Sequence, residues 1–155
     1  MNTLNDKYGI KAHLTVMGGK PDDSFLNNGR VIYSGNKDKN NPKDYREFYQ
    51  EFANADIFLF PTKAECHGIV NCEAAAYALP IFSYITGGVP SYVLDNINGR
   101  LLPLNKNGED FADAIYSALI SNKMPKYSKN SRKLYEERFN WNKWGSKVYK
   151  YIDNK

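Results

Sequence analysis

Short runs of strand-forming residues alternate along this chain with longer stretches of helical period, and that alternation constrains the fold more than any other feature. Residues 13–17 (HLTVM) and 30–34 (RVIYS) each end at glycine. Residues 56–61 (DIFLFP) form a continuous apolar run too short for a helix, which fits a central parallel strand covered on both faces. Residues 80–84 (PIFSY) and 100–104 complete the set, the last following an Asn98-Gly99 turn signal. Between the strands, Tyr45, Phe48, Tyr49 and Phe52 fall on one helical face within 43–54. Residues 68–79 are alanine-rich and stopped by Pro80, which predicts a helix with a defined end. Residues 109–120 put Phe111, Ala112, Ile115, Ala118 and Leu119 on one face, with Glu109 and Asp110 in the first turn, where the helix dipole favours them. Two further helices are expected at 127–138 and 141–152, the last burying a stripe of Trp144, Val148, Tyr151 and Ile152. The whole predicts an α/β fold: a mostly parallel sheet with helices on both faces. Ligands of such sheets sit at the carboxyl ends of the strands, which directs attention to 18–23, 35–41, 61–68 and 86–90.

At 155 residues the chain has room for one domain with a real core, and 42% apolar with 25% charged residues excludes a disordered or membrane-embedded polypeptide. The start lacks a basic segment followed by an apolar one, so no secretory signal is read there. Two cysteines, Cys66 and Cys72, are too few for a disulfide framework, and a reduced cytoplasmic compartment is the expectation. Charge is uneven: residues 123–155 hold ten basic and three acidic side chains, the preceding residues eleven and fourteen. A solvated helix face accounts for such a segment, and attraction to an anionic membrane surface, peripheral at the inner face, is the alternative reading. The aromatics interleaved there fall at helical spacing, which favours packing over base stacking, so no nucleic-acid partner is expected.

The densest chemistry lies in PTKAECHGIVNCEAAAYALP, residues 61–80. A strand ends at Pro61, a loop holds Glu65, and a helix opens near Gly68 with Glu73 inside it. Unpaired N–H groups at a helix start suit a diphosphate, and glycine lets a ligand approach the backbone. Glu73 lies among Ile69, Val70, Cys72, Ala74, Ala75 and Ala76, where a carboxylate is costly unless satisfied. It falls about 7.5 Å along the axis from Gly68, a separation that suits a ribose whose phosphates sit at the helix tip. Facing solvent, or pairing with a base, is the alternative for the same residue. Cys66, His67 and Cys72 lack a fourth ligand and fit no zinc spacing, so no metal site is expected.

This arrangement resembles the E-x7-E signature of retaining, family-four-like glycosyltransferases of the two-Rossmann-domain (GT-B) fold, here running from Glu65 to Glu73 and followed by Ala74. Its surroundings match in order: residues 55–62 resemble the family's strand into the site, Thr86-Gly87-Gly88-Val89-Pro90 its glycine loop, 98–102 its next strand, and Phe139-Asn140-Trp141 its late aromatic motif. The resemblance implies that residues 1–155 are a single Rossmann-like domain, the donor-binding half of a GT-B enzyme, with the N-terminal acceptor domain outside the chain. It implies a hexosyltransferase of polysaccharide biosynthesis, inactive as this domain alone. Glu65 and Glu73 would be the catalytic residues, Glu65 near the donor sugar and Glu73 on the ribose, with Gly68, Ile69 and Val70 on the distal phosphate and His67 among the donor-binding residues. Gly87 and Gly88 would form the facing loop, with Gly35, Asn36 and Lys37 against the base. The substrate would be a nucleotide-diphosphate sugar, with no cofactor and no metal, because backbone N–H groups and basic side chains balance the diphosphate. Three departures stand out: His67 replaces an aromatic residue, Ser91 stands where a glutamate is usual, and the Arg and Lys offered to the phosphates have no evident counterpart. A nucleotide-binding or interaction module that keeps the fold without catalysis is the alternative.

Overall fold

In a computed structural model describing residues 1–27 and 29–153, all five expected strands form and every ladder is parallel. Strand β1 (Leu14–Met17) pairs with β2 (Val31–Gly35), Leu14 opposite Val31. Strands β3 (Phe58–Phe60), β4 (Ile81–Tyr84) and β5 (Gly99–Leu102) form a second sheet in that order, Phe58 opposite Ile81 and Ile81 opposite Gly99. Helices cover both faces, as in a Rossmann-like α/β domain.

The strands divide between two ladders instead of joining one sheet, which corrects the expectation for 56–61. It is β4, buried at all four residues, that takes the central place in the three-stranded sheet, while β3 is half-buried at its edge. An apolar run reports cover on the faces and says nothing of strand order. For β3 the cover comes from rings, Phe58 lying 5.8 Å from Phe60 and 5.5 Å from Phe52.

Alternation along β4 sends side chains into two cores. Phe82 and Tyr84 meet Leu102, Tyr127 and the apolar face of α4 (Gly108–Ile120), whose start is closed by a reciprocal cap between Asn107 and Asp110. The N-terminal turn Thr3–Lys7 docks on the same helix: Tyr8 stacks on Tyr116 at 3.8 Å and donates to Asp113 at 2.6 Å. On the opposite face Ile81 packs with Phe52 of α2 (Pro42–Asn54), with Ala74 and Ala75 of α3 (Val70–Ala76), and with Val89 and Val93.

Several boundaries move. The crossover from β1 to β2 contains a one-turn helix α1 (Asp23–Leu26). The 127–138 helix is α5 (Met124–Leu134), with Pro125 in its first turn, followed by a wider turn at Tyr135–Phe139. Gly99 begins β5, and Asn98 ends the turn that leads into it, as the turn signal predicts. Its buried side chain braces the preceding loop, accepting from Leu94 N–H at 2.7 Å and donating to Tyr92 O at 3.0 Å.

The largest correction concerns α6 (Trp141–Asp153), which forms but buries none of its stripe. Trp144, Tyr151 and Ile152 are all exposed. The chain turns out through Asn140, an extended residue that caps α6 by accepting from Lys143 N–H at 3.0 Å. The turn before it packs on the domain, with Phe139 edge-on to Tyr92 at 5.4 Å. Helical periodicity shows that a face needs cover, not that the same domain supplies it. Among the described residues no helix is long and apolar enough to cross a membrane.

Candidate functional site

The carboxyl ends of β2, β3 and β4 deliver three loops to one side of the molecule. The β3 loop is stitched to the β4 loop: Thr86 Oγ1 donates to Lys63 O at 3.2 Å, and Gly88 N–H donates to Cys66 O at 3.0 Å. Glu65 is half-buried in this seam, and its Oε1 accepts from Cys66 N–H at 2.9 Å. His67 is exposed, its Nδ1 lying 3.3 Å from Cys66 Sγ.

Gly68 takes φ +70°, a left-handed conformation that favours glycine, and a Cβ there would meet Asn71 Nδ2 at 2.9 Å and Glu65 Cγ at 3.2 Å. Glu65 therefore packs directly on the turn that starts α3. The helix is shorter than the expected 68–79. It begins at Val70, and after Ala76 the chain wraps back, Leu79 N–H donating to Ala74 O at 3.1 Å. The amides of Asn71 and Cys72 already donate to the carbonyls of Gly68 (3.0 Å) and Ile69 (2.8 Å). An anion would thus be met by the amides of Gly68, Ile69 and Val70, with a smaller dipole behind them than a longer helix gives. Asn71 is fully buried beneath this turn and donates to Gly68 O at 2.8 Å.

Glu73 lies on the side of α3 that faces the β2 loop. Its side chain is 22% exposed, and Oε1 lies 2.5 Å from Nζ of Lys39. The cost of a carboxylate in this alanine-rich helix is thus met by pairing with a basic side chain, the alternative the sequence left open for Glu73, although the sequence does not say which lysine supplies it. Lys39 is one of several lysines in a polar loop, and nothing in its spacing marks it. Burial, with the Glu73 charge adding, pushes the Tyr49 hydroxyl up to about 12. Burial first, and Glu73 second, raise the Cys72 thiol to about 11.

Of the other expected residues, Gly35 ends β2 and Asn36 is exposed beyond it. Lys37 turns towards α2 and pairs with Glu47 at 2.7 Å, which lowers the Glu47 carboxyl and raises the Lys37 ammonium. Gly87 and Gly88 lie against the backbone of Glu65, Cys66 and His67. The structure therefore brings Glu65, Gly68, Gly87 and Gly88 into one cluster, with Glu73 farther along α3 beside the loop that carries Asn36 and Lys37.

Residues 1–134 match the family model described as glycosyl transferases group 1. The chain belongs to that family. Among curated relatives, the D-inositol 3-phosphate glycosyltransferase of Mycobacteroides abscessus is 35% identical over 79 residues, which is 51% of this chain and 18% of that protein. Its counterpart in Saccharomonospora viridis is 27% identical over 100 residues, 64% of this chain and 23% of that protein. The matches thus span under a quarter of these relatives' length. HepE of Anabaena, solved in complex with UDP, superposes with a TM-score of 0.73 at 18% identity, over 93% of this chain and 41% of that one. At that identity the likeness shows the fold, the same Rossmann-like α/β arrangement.

Proposed function

We propose that this chain is the donor-binding half of a retaining glycosyltransferase that moves a sugar from a nucleotide-diphosphate donor to an acceptor hydroxyl. The observation that carries the reading is the position of Glu73, a half-buried carboxylate in the first turn of α3, between the Gly68 turn and the loop that follows β2. The ribose hydroxyls would donate to Glu73, the diphosphate would meet the amides of Gly68 to Val70, and the base would lie against Gly35 to Lys37. Glu65, held by the Gly87-Gly88 loop, would face the sugar. In transfer the bond from the anomeric carbon to the diphosphate breaks and one to the acceptor oxygen forms, the nucleoside diphosphate leaving. That needs a cleft closed against water by a second wall, and the acceptor-binding wall would be a further domain. The UDP in the HepE complex makes UDP the first ligand to try.

Calorimetric titration with UDP, GDP and ADP tests the reading. One of them should bind, and Glu73→Ala should weaken it about thirty- to a hundred-fold, on the order of 2–3 kcal/mol for two charge-assisted hydrogen bonds. Equal affinity in a folded Glu73→Ala protein would remove Glu73 from the site. Failure of all three to bind would favour a non-catalytic module with the same fold.

A further inference from the structure

We infer that Lys39 is a positioning residue for nucleotide binding: it fixes the Glu73 carboxylate in the orientation that receives a ribose diol. This rests on the reading of Glu73 given above and deepens it. Lys39 is fastened at both ends. Its ammonium lies 2.5 Å from Glu73 Oε1 on α3 and 4.2 Å from the centroid of the Phe48 ring on α2, so two helices define its place. Its backbone sits in a turn braced on both sides. Asp38 N–H donates to Asp44 Oδ2 at 3.1 Å, Asn40 N–H to Asp38 Oδ1 at 2.9 Å, and Asn41 N–H to Asp38 O at 3.0 Å. Asn41 then caps α2, accepting from Lys43 N–H at 2.9 Å.

The neighbouring lysine cannot substitute, since Lys37 is committed to Glu47. The contact of Lys39 is made to Oε1, and each carboxylate oxygen has two acceptor sites. A diol can therefore donate to Glu73 while the lysine stays in place. A glutamate side chain without that anchor samples several rotamers, and ordering it would be charged against binding. Lys39 takes up that cost before the ligand arrives. It also ties the loop after β2 to α3, so the groups assigned to the base and to the ribose are held by one ion pair.

The test compares UDP (or whichever of UDP, GDP and ADP binds best) with its 2′,3′-dideoxy analogue in calorimetry, for the wild type, Lys39→Met and Lys39→Arg. Methionine keeps an apolar stem against Phe48 and removes the charge. The wild type should prefer the diol by about tenfold or more, and Lys39→Met should lose most of that preference while binding the dideoxy analogue nearly as before. Lys39→Arg should recover it. A merely structural lysine would shift both ligands together and leave their ratio alone. If Lys39→Met keeps the wild-type ratio, or binds the diol more tightly, the lysine does not position Glu73 and the inference fails by itself. If the wild type shows no preference for the diol, Glu73 is not the ribose acceptor and both readings fall.

Discussion

Gly87 lies so close to the backbone of Glu65 that a Cβ on the glycine would fall 1.6 Å from the glutamate's carbonyl oxygen. The glycine also takes φ +46°, so an alanine there would be strained as well as crowded. The loop bearing Glu65 is exposed over much of its length and has room to give, whereas its position is what the site depends on. Gly87→Ala is expected to lower nucleotide-sugar affinity tenfold or more, on the order of 1.4 kcal/mol, with a modest fall in melting temperature. Calorimetry beside a thermal scan separates the two effects.

Gly99 makes the opposite case. A Cβ there would lie 1.7 Å from Ile81 O, inside the pairing of β5 with the central strand β4, where the ladder holds both backbones. Gly99→Ala should destabilise the fold by about 3 kcal/mol or prevent it from forming, read by urea denaturation or by loss of soluble protein.

The two thiols should behave differently. Cys66 is exposed and Cys72 is buried within α3, its thiol raised to about 11 against an ordinary 9. At pH 8 a colorimetric thiol reagent should label Cys66 rapidly and Cys72 only on unfolding. The raised value also fixes a sign. An unfolded chain ionises this thiol from pH 9 upward while the folded one resists until about 11, so the contribution is complete below pH 9 and lost as pH climbs to 11. Melting temperature should fall across that window, and fall less in Cys72→Ala.

Ser131 is fully buried, and its hydroxyl lies 2.7 Å from Leu79 O and 3.3 Å from Asn98 O, tying α5 to the loops that precede β4 and β5. Ser131→Ala would leave these carbonyls without that donor in a fully buried position, and a loss of about 1–3 kcal/mol in urea denaturation is expected. Nucleotide affinity should be unaffected.

Both tryptophans of the chain, Trp141 and Trp144, lie in α6, at 74% and 58% exposure. Their emission should be that of water-exposed indole, open to iodide quenching and unchanged by nucleotide. Trp144→Glu should alter stability by no more than about 0.5 kcal/mol. Covalent addition of an acceptor-binding half that covers this face would shift the emission to the blue.

What sequence discloses here follows from what each signal reports. Alternation placed all five strands, and the glycines and prolines closed them, because those signals are local. The residues around Glu65 and Glu73 are legible for the same reason: strand end, loop and helix start are contiguous in the chain. Lys39 was not legible, since its partner is 34 residues away and the pairing exists only after two loops converge. The split of the strands into two ladders and the exposure of α6 were hidden too. Both depend on which surface lies opposite, and neither the run at 57–60 nor the stripe of α6 carries that information.

Because β1 and β2 share no ladder with β3, β4 and β5, no backbone hydrogen-bond register sets the spacing between Lys39 and Glu73 across the described residues. Aromatic rings perform that measurement. Phe52 of α2 lies 5.1 Å from Phe48, 5.5 Å from Phe58 and 5.9 Å from Tyr77, bridging the element that follows the first ladder and those of the second. Ring thickness is therefore the ruler of the site. A change such as Phe52→Leu, at a residue that is not itself a candidate ligand group, would shorten that ruler and be felt as a misfit at the carboxylate, away from where it was made.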